Sequence, residues 1–331
     1  MERGFVRVLK QPAEEIANAR GHAGNTGIPY AFSDLFYRRA RCLRSHVKGF
    51  AISSASFTVI AIVCIFTVGF AVNTAEDNKN APPVKTDFSR FTGETLVYSV
   101  KWDPPWYMFF LPKMEAGELV FRFQGIDEFR GKPAVKIAVD AYSSGTLAKL
   151  ADMKVEDEFL FYSTPETLCA EGSVSKIREG KRRRLLELEY FQDERRLHFR
   201  VTDEADTPHR ILRDVTKTDL PPCIRDPFST LYFYRTLNLT KGSEHNLIVG
   251  NDDRVLDVRT RVENQEAVTT MAGKFTAWRI RTDALRGGLF SQDGDFRIWV
   301  SADERKLPVR FEIKVRLGHV LGELKSVEEN L

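Results

Sequence analysis

Residues 308–317 read PVRFEIKVRL, with Val309, Phe311, Ile313, Val315 and Leu317 alternating with Arg310, Glu312, Lys314 and Arg316. Alternate side chains of an extended chain point to opposite faces, so this spacing predicts a strand with one apolar and one wet face. The same period recurs upstream. Leu96, Tyr98, Val100 and Trp102 share a face, as do Leu119, Phe121 and Phe123; Val135, Ile137, Val139 and Ala141; Leu186, Leu188 and Tyr190; and Phe296, Ile298 and Val300. Turn residues separate these runs at Gly131-Lys132-Pro133, Gly180-Lys181, Asp193-Glu194, Gly242-Ser243, Asp293-Gly294 and Ala302-Asp303-Glu304. Many strands on short links predict a mainly β domain, a curled antiparallel sheet or barrel-like fold, spanning 88–325.

Two short helices are expected to interrupt it, at 144–153 and 226–236. The second opens with Asp226-Pro227, an N-cap followed by proline at the first helical position. Its FSTLYFYR stretch reads almost as well as an aromatic-rich strand.

Ahead of the strands, Phe50 to Val72 holds 23 residues without a charge, enough for a helix to cross a hydrocarbon core of about 30 Å. Arg38, Arg39, Arg41, Arg44 and Lys48 precede it, and Glu76 and Asp77 follow. That asymmetry predicts a single transmembrane helix over 49–72, with residues 1–48 cytoplasmic and poorly ordered and the carboxyl-terminal domain outside the inner membrane. A signal peptide cut after a small residue such as Ala75 is the competing reading. The polar stretch 73–87, with Pro82 and Pro83, suits a linker.

The 331 residues carry 49 basic and 46 acidic side chains, a net +3 that singles out no nucleic-acid partner. No cofactor is implied. Neither cysteine nor histidine spacing matches a metal site, and hydrolase, metalloprotease and nucleotide signatures are absent. Cys169 and Cys223 are the two cysteines beyond the apolar segment; they form either a disulfide or two buried thiols. Carboxylates that could serve a glycosidase are Glu156, Asp157 and Glu158, Asp252 and Asp253, or Asp293 and Asp295; a solvated turn is the simpler reading of each. Lys181 to Arg184 (KRRR) reads as a charged hairpin tip.

The most unusual stretch is KWDPPWYMFFLPKMEAGEL, residues 101–119, where Trp102, Trp106, Tyr107, Met108, Phe109, Phe110 and Leu111 crowd around prolines. Pro104, Pro105 and Pro112 exclude a continuous ladder there, leaving an enlarged hairpin connection. Seven large apolar groups exposed together invite aggregation, so the connection is expected to fold inward as a lid; outward contact with a membrane or partner is the alternative. Trp106, Tyr107, Phe109 and Phe110, with Tyr232 and Tyr234 of the second helix, form the candidate site for an apolar or amphipathic, lipid-like molecule, bound without catalysis. An interaction or scaffold module for another envelope protein is the second reading, and a glycan or lipid hydrolase the third.

The blocks GETLVYSVKW, EAGEL, RDPFSTLYFYRTLNLTKG, MAGKFTAWRI and IWVSADERKLPVRFEIK, in that order, resemble the bacterial domain of unknown function 3108 family over about Phe88 to Leu324. The resemblance implies an envelope protein with a signal or anchor. It matches Gly117 and Glu118, Asp226 and Pro227, Ala272, Gly273 and Phe275, and Trp299, Ser301 and Asp303 to family positions, none with a catalytic role. The long amino-terminal extension and the aromatic insertion before Glu115 depart from the pattern. By weaker analogy, a curled envelope sheet is similar to the half-barrels that carry lipoproteins and acyl chains.

Overall fold

The computed structural model describes residues 85–145, 148, 154–282, 296–315 and 318–329. The expected cytoplasmic segment, the membrane span and most of the linker lie outside these residues, as do most of the first helix and the Asp293-Gly294 turn. Among the described residues no helix is long and apolar enough to cross a membrane.

Among the described residues fourteen strands form one antiparallel sheet. In chain order they are β1 (Thr95–Asp103), β2 (Met114–Phe129), β3 (Lys132–Ser143), β4 (Glu156–Ser163), β5 (Ala170–Glu179), β6 (Arg182–Phe191) and β7 (Arg196–Asp203). There follow β8 (Arg210–Lys217), β9 (Glu244–Asn251), β10 (Arg254–Thr270), β11 (Gly273–Thr282), β12 (Phe296–Ser301), β13 (Pro308–Val315) and β14 (Gly318–Glu328). The spatial order is β8-β7-β6-β5-β4-β3-β2-β1-β14-β13-β12-β11-β10-β9. Two meanders therefore meet at β1, where Tyr98 lies opposite Leu119 of β2 on one side and Leu324 of β14 on the other.

The alternation seen in the sequence sets which face turns inward. Leu96, Tyr98, Val100 and Trp102 are buried, as are Leu119, Phe121 and Phe123, and Val309, Ile313 and Val315. The opposite face of β13 is half-covered rather than wet, because Arg310 pairs with Glu323 and Arg297 and His319 both reach Glu312.

Twist alone would leave β8 and β9 as open edges. The chain between β8 and β9 closes that seam. The Ala170 amide donates to the Ile224 carbonyl (2.7 Å), the Arg225 amide to Ile248 (3.0 Å) and the Gly250 amide to Arg225 (2.7 Å), so residues 224–225 are stitched between β5 and β9. The Arg225 guanidinium donates to the Thr167 carbonyl at 2.9 and 3.2 Å and lies over the Phe233 ring. Beside it Cys169 and Cys223 form a disulfide with Cα atoms 5.2 Å apart. A cross-link over 54 residues removes enough unfolded-chain entropy to contribute about 4 kcal/mol. Across the seam, Asp253 of the β9–β10 turn pairs with Arg213 (2.6 Å) and Lys217 (3.1 Å) of β8.

Inside the curl sits α1 (Pro227–Tyr234). Asp226 Oδ1 accepts from the Phe228 and Ser229 amides, both at 2.8 Å, and Pro227 occupies the first turn, as the sequence implied. Phe228 through Tyr234 are all buried. A surface helix would show an exposed polar stripe; this one is buried around its circumference, Ser229 and Thr230 included, because sheet surrounds it.

One ion pair fastens its end. Arg235, 2% exposed, donates to both Glu94 carboxylate oxygens (2.5 and 2.7 Å), and its guanidinium lies over the Phe91 ring at 4.2 Å. Arg90 in turn donates to the Arg235 carbonyl. Removing one partner of such a pair strands a buried charge. Glu94→Ala should therefore lower unfolding stability by roughly 3–5 kcal/mol in urea titration; Glu94→Gln, which keeps an acceptor, should cost less.

Candidate functional site: an exposed aromatic tip

The connection between β1 and β2 splits by side. Met108 and Leu111 turn inward onto the core. Trp106 and Phe109 are each 87% exposed, Phe110 70% and Tyr107 51%. The expectation of an inward lid is corrected here, and the backbone supplies the reason. The Met108 amide donates to Pro105 and the Leu111 amide to Met108, both at 2.8 Å, making two tight turns that direct only every third side chain inward. Outside, the rings meet edge to face in pairs: Trp106 with Tyr107 (5.9 Å between centroids) and Phe109 with Phe110 (6.0 Å).

The base of the tip is firm. Lys113 pairs with Asp103 at 2.8 Å. Gly318, at a positive φ of 88°, lets the start of β14 press against the Asp103 carbonyl, where any Cβ would collide. Four exposed rings on these paired turns are the most distinctive surface of the described residues.

Tyr232 and Tyr234 do not join it. Tyr232 packs on Phe91 and Phe123, and the Tyr234 hydroxyl donates to Thr260 Oγ1 at 3.0 Å. Both belong to the interior, Tyr232 beside Glu94 at one end of β1, whereas the tip leaves its other end. The eight steps of β1, at about 3.3 Å each, put roughly 26 Å between the two groups. The space an enclosed amphiphile would need inside the curl is filled by α1 and the rings around it.

Two open clefts lie at the end of the strands away from the tip. One, of about 480 Å³, is walled by Phe88, Thr92, Phe123, Ile126 and Val135. The other, of about 420 Å³, lies between the β2–β3 and β6–β7 turns, with Arg130, Glu171 and Gln192 at its wall and Cys169 beside it. Both are large enough for a small molecule.

Of the carboxylates singled out in the sequence, Asp293 and Asp295 lie outside the described residues, and most of the others have structural tasks. Glu156 and Glu158 pair with Lys154 and Lys176. Asp157 is sealed from solvent and accepts from the Arg178 amide at 2.6 Å. Burial, which dominates, and the nearby Glu179 push its carboxyl up to about 7. A group so poised would suit acid catalysis in a cleft, but here no substrate reaches it. Asp252 is pushed up to about 8 by burial and then by the charge of Asp253. His198 pairs with Asp214 and His319 with Glu312, while His209 is exposed. Within KRRR, Arg182 pairs with Glu179 and Arg183 donates to backbone carbonyls. No group of His, Cys, Asp or Glu suited to a metal ion occurs among the described residues.

The model of the family described as "Protein of unknown function (DUF3108)" matches residues 97–325. The chain belongs to the DUF3108 family. No curated protein matches it. Among solved structures it is similar to a β-barrel-like protein of domain of unknown function DUF1849 from Brucella abortus, at 12% identity and a TM-score of 0.48, covering 73% of this chain and 99% of that one. A Bacteroides fragilis protein described as exported, with a YmcC-like fold, aligns at 11% identity and a TM-score of 0.27, over 75% of this chain and all of its own. One described as a lipoprotein, from Parabacteroides distasonis, aligns at 10% and 0.24 over 75% and all of its own. Such distant likenesses carry no argument about function.

The DUF3108 positions named in the sequence hold turns and strand contacts. Ser301 donates to Asp303 and accepts the Leu307 amide, fixing the β12–β13 turn, and the Trp299 indole donates to Glu266. A Cβ at Gly117 would strike the Tyr142 carbonyl across β2 and β3.

The Asp157 environment has a thermodynamic consequence. Its pKa is higher folded than unfolded, so the native state binds that proton more tightly, and the stability it confers at low pH is lost as pH rises from about 4 to 7. Asp157→Asn removes this loss. Relative to the parent, the variant should gain up to about 1.4 kcal/mol of stability per pH unit across that window, read from urea midpoints at pH 4 to 8.

Proposed function

We propose that this is an envelope protein held in the inner membrane by Phe50–Val72, with its β domain outside, and that the domain binds lipid-like amphiphiles without catalysis through the tip formed by Trp106, Tyr107, Phe109 and Phe110. The exposure of those four rings on one hairpin connection carries the reading. Each buries 150–250 Å² when covered, and at about 25 cal/mol per Å² their burial is worth several kcal/mol before association costs. Trp and Tyr favour the boundary between headgroups and acyl chains, where a polar edge and an apolar face are both satisfied. The disulfide between Cys169 and Cys223 suits an oxidising compartment, on the outer side of the membrane. The basic residues before the apolar segment and the acidic ones after it suit the same orientation.

Vesicle co-sedimentation of residues 85–331 tests this. Binding to phosphatidylethanolamine–phosphatidylglycerol vesicles should fall at least tenfold when Trp106, Phe109 and Phe110 are all changed to serine, with unfolding temperature little altered because these side chains lie outside the core. Undiminished vesicle binding by that variant, or none by the parent, contradicts the proposal.

A further inference from the structure

We infer that the tip docks on a lipid surface facing the anchoring membrane, so that one chain links two membranes; this rests on the reading that Phe50–Val72 spans one bilayer and the tip binds lipid. The warrant is the placement of the chain's entry into the domain. The Thr86 amide donates to the Glu166 carbonyl at 2.7 Å, and Lys85 pairs with the Glu166 carboxylate, so the first described residues are fastened to the β4–β5 turn. That turn follows Ser163, which pairs with Val135, itself opposite Ile126 of β2. The tip grows from Met114, the other end of β2.

From Ile126 to Met114 is twelve residues of strand, about 40 Å at roughly 3.3 Å per residue, and the tip projects beyond. The chain between Val72 and Lys85 has thirteen steps. Fully extended it reaches about 45 Å, but a flexible chain of that length has a root-mean-square span of roughly 20 Å. With β2 standing along the membrane normal, seating the tip in the bilayer that holds Phe50–Val72 would lift Lys85 some 40 Å above it, close to the limit of a thirteen-step chain. With the entry end beside the anchor, the linker is relaxed and the four rings face away.

The test uses the full chain reconstituted in phosphatidylethanolamine–phosphatidylglycerol vesicles with the β domain outward, mixed with protein-free vesicles of the same lipids. Lipids brominated on their acyl chains, placed in one population or the other, quench tryptophans that touch them. Trp106 is one of four tryptophans, so the signal is the share of emission that Trp106→Phe lacks. Quenching of that share by bromolipid in the added vesicles, and not in the host vesicles, is expected, together with clustering of the two populations. Quenching from the host vesicles alone overturns the inference while leaving lipid binding by the tip intact. Quenching from neither overturns both, and clustering that survives the Trp106, Phe109 and Phe110 to serine changes overturns the bridging by the tip.

Discussion

The fold depends on a helix that water does not reach. A sheet of fourteen strands curls far enough to bring its edges near each other but not to pair them, and the interior left behind must be filled. The eight residues of α1 fill it. Their hold comes from the buried Arg235–Glu94 pair at one end, the Asp226 cap at the other, and the stitched segment Ile224-Arg225 just ahead of that cap. Desolvating two charges is costly, and a pair like this earns its place through both carboxylate oxygens and the Phe91 face being engaged at once. Because Glu94 immediately precedes β1, the same contact positions the strand on which both meanders are built.

This arrangement divides the domain by its ends. At one end lie the entry of the chain, both clefts and the disulfide; at the other stands the aromatic tip. Filling the interior with α1 moves any contact with an amphiphile to the surface, and the four rings are the surface that water penalises most. A lid over a hollow and a tip on a solid body would use similar residues. The difference lies in what occupies the middle.

Much of this was readable from residue order. Period two in 308–317 and its relatives identified strands and their inward faces, since alternation is a local property of extended chain. Asp226-Pro227 marked the start of α1 for an equally local reason. The fate of the tip was not readable, because six large apolar residues in a row of turns specify no side, and only the turns at Pro105 and Met108 divide inward from outward. The pairing of Cys169 with Cys223, 54 residues apart, and of Arg235 with Glu94, 141 apart, depends on how the sheet closes. The expectation that Tyr232 and Tyr234 share a site with the tip rested on composition; the strand length of β1 separates them.

The central claim is that the outward rings meet lipid. Hydrogen–deuterium exchange of residues 85–331, with and without phosphatidylethanolamine–phosphatidylglycerol vesicles, addresses it most directly. The account predicts new protection confined to the amides of residues 106–113 and the neighbouring start of β14. Protection centred on the clefts beside Phe88 or Glu171, with the tip exchanging as it does in water, would contradict it.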